Sequence, residues 1–157
     1  MPKISNIEIL EKPEQPILSI RLRTSVQELP KHIGACYGQM EEYLKKEGKR
    51  LSGIPFVAFH SFGDMSDMDV EMGFPLAAPL SGVGEIKAGV IPAGIVLSCM
   101  YLGPYSQMES LYNEIMAWIS ENKYEMVLPS YEYYYNGPGV PEEYYLTEIC
   151  IPIRPAP

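Results

Sequence analysis

Two octapeptides constrain this chain more than any other feature. DVEMGFPL at 69–76 and LTEICIPI at 146–153 each place a glutamate, three further residues, a proline and an aliphatic residue in that order. A sequence that says the same thing twice folds as two copies of one unit, and overlooking such a repeat misassigns the whole fold. Two weaker correspondences run in the same order: PILSIRL (16–22) with GIVLSCM (94–100), and GIPFVAFH (53–60) with VLPSYEYY (127–134). Glu71 and Glu148 are therefore equivalent positions.

Between these strings lie two helical patterns. From Gln27 to Glu47, the residues Ile33, Tyr37, Met40 and Leu44 return to one face at helical spacing. From about Tyr105 to Asn122, entered through Gly103-Pro104, Met108, Leu111, Ile115, Trp118 and Ile119 do the same. The remainder reads as strand or turn, with strands at about 4–10, 16–23, 54–60, 67–76, 83–91, 93–102, 128–136 and 143–153. The expected fold is α+β: duplicated strand-strand-helix-strand-strand modules related by a pseudo-twofold, with antiparallel sheet, two main helices and a central groove. One domain spans 1–157, with repeat one at about 1–80 and repeat two at about 83–155.

Charge narrows the partners. A formal net charge of -8 leaves no clustered excess of Lys and Arg with which to grip phosphates, so nucleic acid is not an expected direct partner. The one dense basic stretch, Lys45 to Arg50, reads as a helix C-terminus, where cations suit the dipole. Residues 88–108 carry no charge, but Pro92, Gly94, Gly103 and Pro104 break the run into turn, buried strand and turn, so no membrane span is expected. The N-terminal segment has charges where an export signal needs its apolar core, and the expected location is cytoplasmic. Cys36, Cys99 and Cys150 are odd in number and set among apolar residues, which suits buried free thiols. His32 and His60 lack companions at ligand spacing, so no metal is expected. SGVGE (81–85) lacks the glycine pattern of a phosphate loop and reads as a linker, and no Ser-His-Asp or Cys-His motif stands out.

A candidate site emerges from the last third of the chain. YYLTEICIPI (144–153) is apolar or weakly polar except at Glu148, and burying an unpartnered charge is costly. By the two-residue period of a strand, Glu148 shares a face with Tyr144, Leu146 and Cys150, while Thr147, Ile149, Ile151 and Ile153 form the packing face. On the preceding strand Tyr131, Tyr133 and Tyr135 share a face, which makes an aromatic wall if it looks into the groove; Tyr134 and Tyr145 read as ordinary strand residues. Two readings of Glu148 stay open: a pocket carboxylate, or a surface glutamate on an edge strand paired with Arg154 or Lys123. Glu71, beside Asp67, Asp69 and Gly73, reads as more solvated.

The duplicated module, the helix entry GPYSQMESLYNEIMAWI, the strand and turn SYEYYYNGP and the closing TEICIPI together resemble the GyrI-like family, also called the AraC-type or multidrug-regulator effector-binding domain, a relative of the SOUL haem-binding fold. The resemblance spans nearly the whole chain and implies an aromatic groove whose acidic residue, on the last strand, attracts lipophilic cations. Glu148 matches that position, with Tyr131, Tyr133, Tyr135, Tyr101, Trp118 and Phe59 as the expected ligand-binding aromatics. The chain looks like a stand-alone version of the domain. The expected function is binding of hydrophobic small molecules of cationic character, without cofactor; no residue names a haem ligand. Family members that hydrolyse electrophilic cyclopropane-type toxins imply an alternative, with Glu148 as general base and Tyr133 orienting water or substrate. A gyrase-inhibitor-like interaction with a partner protein is the third reading.

Overall fold

The computed structural model describes residues 3–50, 53–61 and 63–157. In chain order the elements are β1 (Glu8–Lys12), β2 (Gln15–Thr24), α1 (Leu29–Lys46), β3 (Phe56–Phe59), β4 (Met68–Pro75), β5 (Lys87–Ile91), β6 (Gly94–Leu102), α2 (Glu109–Glu121), β7 (Tyr124–Met126), β8 (Ser130–Tyr134) and β9 (Leu146–Pro155). This is the expected α+β order, strand-strand-helix-strand-strand twice, with short β7 added and with antiparallel pairing in each ladder among the described residues. No helix is long and apolar enough to cross a membrane among the described residues.

The chain divides into two compact units, and their limits do not follow the linear repeats. One unit takes the residues through Lys12 together with Gly94–Pro157; the other is Pro13–Ala93. The first strand of each linear repeat is exchanged: β1 pairs with β6, and β5 pairs with β2.

In the first unit the order is β1-β6-β9-β8. The ten-residue β9 serves two neighbours in succession, β8 along Thr147–Cys150 and β7 along Ile153–Pro155. Its odd-numbered residues Ile149, Ile151 and Ile153 pack with Leu97, Cys99 and Tyr101 of β6 against Leu111, Ile115 and Ile119 of α2. Each such aliphatic side chain stabilises the fold by roughly 1.5–3 kcal/mol when fully buried. The packing face of the last strand is thus the one the alternation predicts, and Glu148 projects from the other.

Helix α2 is reached through a turn that needs glycine. Gly103 has φ +145°, and a Cβ there would come 3.0 Å from the Tyr101 hydroxyl. That hydroxyl donates to the Pro104 carbonyl at 2.5 Å, which fixes the start of a 3-10 turn at Tyr105–Gln107 just before the helix.

In the second unit the order is β3-β4-β2-β5. Cys36, Met40 and Leu44 are the buried residues of α1. The Tyr37 ring lies 4.9 Å from that of Phe74, and its hydroxyl donates to the Phe56 carbonyl at 2.7 Å. The helix ends as its basic residues suggest, with Lys45 and Lys46 in the last turn and Gly48 in the left-handed conformation at φ +68°.

The ladders correct the alignment of the two modules. Opposite Glu71 stand Arg21 and Ala58; opposite Glu148 stand Met100 and Tyr133. The ladder therefore equates Ser19 with Ser98, Phe56 with Tyr131 and His60 with Tyr135. Both string comparisons, PILSIRL with GIVLSCM and GIPFVAFH with VLPSYEYY, are one residue out of step. A slip of one residue exchanges the faces of a strand, so only the corrected register shows which side chains meet.

Candidate functional site

Each module clamps its repeated glutamate in the same way. In the second unit Ser19 donates to Glu71 Oε2 at 2.5 Å, and His60 Nε2 lies 2.8 Å from Oε1. In the first unit Ser98 donates to Glu148 Oε2 at 2.7 Å, and the Tyr135 hydroxyl donates to Oε1 at 3.2 Å. Equivalent serines hold one oxygen, and equivalent positions, His60 and Tyr135, hold the other. The Glu71 module adds a paired surface row beside it, Arg21 on Asp69 and Arg23 on Asp67, each with two hydrogen bonds. The Arg21 guanidinium holds the Asp69 carboxyl below its usual range.

Glu148 has a partner that its neighbours in sequence do not reveal. It lies on β9, between β6 and β8, and not on an edge. Arg154 pairs instead with Glu125 of β7. The cation beside Glu148 is Lys12, whose Nζ is 3.7 Å from Oε2 and 5.1 Å from the centre of the Tyr133 ring. Tyr131 and Tyr133 lie side by side, with ring centres 6.3 Å apart. Carboxylate and aromatic face stand together here, and the lysine of β1 lies against both. Burial dominates the electrostatics of this face, pushing the Cys150 thiol up to about 11 and raising the Tyr133 and Tyr135 hydroxyls above their usual range.

The other expected aromatics lie elsewhere. Tyr101 is fully buried in the core beneath α2. Trp118 stacks on Tyr124 with ring centres 6.2 Å apart. Phe59 faces Val70 in the β3–β4 ladder. The fold brings Tyr131, Tyr133 and Tyr135 to Glu148, and does not bring Tyr101 or Trp118 to its sheet face.

A second carboxylate lies on the α2 face of the same sheet. Glu132 of β8, opposite Ile149 in the ladder, is 9% exposed. Tyr134 donates to its Oε1 at 2.8 Å, and Tyr112, reaching down from α2, donates to Oε2. Over Tyr134 lies Tyr105 of the 3-10 turn, edge to face at 5.4 Å; Tyr105 also stacks on Tyr145 at 5.0 Å. Burial raises the Glu132 carboxyl above the usual range, opposed by the two tyrosine hydrogen bonds. Tyr105 is pushed up to about 12, first by burial and then by Tyr145 and Glu132. Among the described residues no lysine or arginine makes an ion pair with Glu132.

This cluster joins β8, α2, the 3-10 turn and the residue before β9, so no single motif announces it. One signal was available. Glu132 is the only charged residue in SYEYYY, the anomaly that singles out Glu148 in its own strand, and by alternation it shares a face with Tyr134. Among the described residues, no group of three or more His, Cys, Asp or Glu side chains is arranged to hold a metal ion.

Comparison with known proteins supplies the context. The model of a GyrI-like small molecule binding domain matches residues 5–154. The crystal structure of the EcmrR C-terminal domain superposes with a TM-score of 0.86 at 25% identity, covering 98% of this chain and 99% of that one. EcmrR in its complex with DNA gives 0.86 and 25% over 96% of this chain, which spans only 58% of the EcmrR chain. SAV2435 bound to tetraphenylphosphonium has the same fold at 13% identity, with a TM-score of 0.61 over 96% of this chain and 94% of that one. No curated protein sequence matches significantly.

Proposed function

The chain belongs to the GyrI-like small molecule binding domain family, and from that premise we propose that it captures lipophilic organic cations, with the Glu132 carboxylate as counter-ion and Tyr105, Tyr112, Tyr134 and Tyr145 as the surrounding aromatic groups. One observation carries the reading. Glu132 is buried, and among the described residues no cation pairs with it, whereas Glu148 already has Lys12. A carboxylate in an apolar setting favours a partner of opposite charge strongly, because little water competes for it. Tyrosine faces add roughly 0.5–2 kcal/mol per cation contact, more where the cation is desolvated.

The two faces of the first unit's sheet then differ in task. On one, Glu148, Ser98, Tyr135 and Lys12 close a network whose charges balance. On the other, the Glu132 carboxyl is left for a ligand, and Tyr105 and Tyr145 form the aromatic cover through which that ligand passes.

Calorimetric titration with tetraphenylphosphonium, whose charge does not change with pH, tests the assignment. Glu132→Gln should weaken binding by about tenfold or more, and Glu148→Gln by less than about threefold, since a tenfold change corresponds to 1.4 kcal/mol. Loss of binding in Glu148→Gln with Glu132→Gln unaffected would move the receptor to the Lys12 face.

A further inference from the structure

We infer that the hydroxyl of Thr147 makes the site selective for cations that carry N–H groups, so that primary ammonium ions bind ahead of quaternary ammonium ions of the same skeleton; this rests on Glu132 being the ligand's counter-ion. Thr147 is 0% exposed, and its Oγ1 is one of two buried side-chain polar atoms that have no hydrogen-bond partner among the described residues. The other is Ser130 Oγ. Both residues share the sheet face of Glu132, one on either side of it along the ladder.

Their positions differ in a way that matters. Thr147 stands directly opposite Tyr134 on β8 and Tyr101 on β6. It is thus the diagonal neighbour of Glu132, whose own partner is Ile149. Diagonal neighbours on one sheet face are separated by about 7–8 Å between backbones, a span that one small head group held by both side chains matches. Tyr134 carries the Tyr105 ring at its edge, and Tyr105 is 42% exposed. Thr147 is therefore on the side of Glu132 nearest the exposed aromatic cover, and Ser130 is on the side away from it.

The chemistry selects the ligand class. A quaternary ammonium ion offers charge to Glu132 and a partner to the tyrosine faces, but gives a buried hydroxyl oxygen nothing to accept. A primary ammonium has three N–H donors. One can meet the Glu132 carboxylate and a second the Thr147 oxygen, while the organic portion lies against Tyr105 and Tyr145. A site with a polar group that only one of two ligands satisfies discriminates far better than one relying on shape.

The test uses 2-naphthylmethylammonium and 2-naphthylmethyl-trimethylammonium, titrated calorimetrically at one pH into the full chain and its Thr147→Val, Thr147→Ser and Ser130→Ala variants. Thermal melting confirms that each variant is folded. The wild type should prefer the primary ion by about tenfold, the worth of one charge-assisted hydrogen bond. Thr147→Val should abolish that preference by weakening only the primary ion, Thr147→Ser should restore it, and Ser130→Ala should leave it intact. Equal binding of both ions by the wild type, or a preference that survives in Thr147→Val, overturns the inference while leaving Glu132 as counter-ion. If neither ion binds the wild type, both this inference and the proposed function fall.

Discussion

The ammonium of Lys12 lies 3.7 Å from the Glu148 carboxylate and 5.1 Å above the Tyr133 ring, so the chain supplies its own cation to the site that the sequence marks out. The side chains of Lys12 and Glu148 are 35% and 12% exposed, and water screens the pair from the lysine side. Lys12→Met should therefore cost only about 1 kcal/mol. Glu148→Gln should be less destabilising in the Lys12→Met background than in the wild type, by a coupling of about 0.5–1 kcal/mol in a double-mutant cycle. Urea denaturation of the four proteins measures it, and a coupling near zero would mean that Lys12 serves Glu148 no more than solvent does.

Glu132 gives the protein a pH signature. Burial raises its carboxyl above the usual range in the folded state, so the native protein binds more protons than the unfolded chain between the unfolded pKa, about 4.3, and the raised folded value. Stability contributed by the protonated form is then complete below that window and declines as pH rises through it. Glu132→Gln removes this slope, so its stability relative to wild type should increase with pH across the window. Tetraphenylphosphonium, whose own charge is constant, should bind the wild type more tightly as pH rises through the same window. The Glu132→Gln profile should be flat, and parallel wild-type and variant curves would contradict the assignment.

How much of this was legible in the sequence depends on whether a signal was local. The period-two alternation of LTEICIPI identified Ile149, Ile151 and Ile153 as packing residues, and the helical spacing of Leu111, Ile115 and Ile119 identified the surface they meet. The paired glutamates were visible as a repeat. What their oxygens touch was not, because the string alignment was one residue out of step and paired Ser19 with Leu97. Lys12 was invisible as a partner because β1 is exchanged into the unit formed by the other repeat, far from Glu148 in sequence. The Glu132 cluster was half visible: its anomalous charge lies in the strand, but Tyr112 and Tyr105 come from α2 and the turn before it, where helical spacing gives no hint that they reach a carboxylate.

The shared clamp makes a comparative prediction. Ser19 and Ser98 are both buried, and each donates to its glutamate. Replacing either with alanine removes a hydrogen bond to a charged group and should destabilise the fold by about 1.5–3 kcal/mol. His60→Tyr tests the equivalence of the second partner, since Tyr135 holds the matching oxygen in the other module. The variant should fold with a melting temperature less perturbed than that of His60→Ala. Equal losses in the two variants would show that the tyrosine does not replace the histidine's contact with Glu71.

Thr147 and Ser130 make the final prediction, and it runs against the usual outcome of mutating a fully buried residue. Each hydroxyl is buried without a hydrogen-bond partner among the described residues, and such a group carries a desolvation penalty of about 1–3 kcal/mol. Thr147→Val keeps the side-chain shape and should stabilise the ligand-free protein by about 1 kcal/mol; Ser130→Ala should stabilise it by a similar or smaller amount, because a small cavity offsets part of the gain. Chemical denaturation measures both. Because the fold tolerates two such groups on the face that carries Glu132, relief of the penalty should come from a bound ligand at Thr147 alone: a saturating primary ammonium ion should narrow the stability gap between wild type and Thr147→Val, yet leave the gap between wild type and Ser130→Ala unchanged. A Thr147→Val variant less stable than wild type without ligand would mean that the hydroxyl already has its partner in solution.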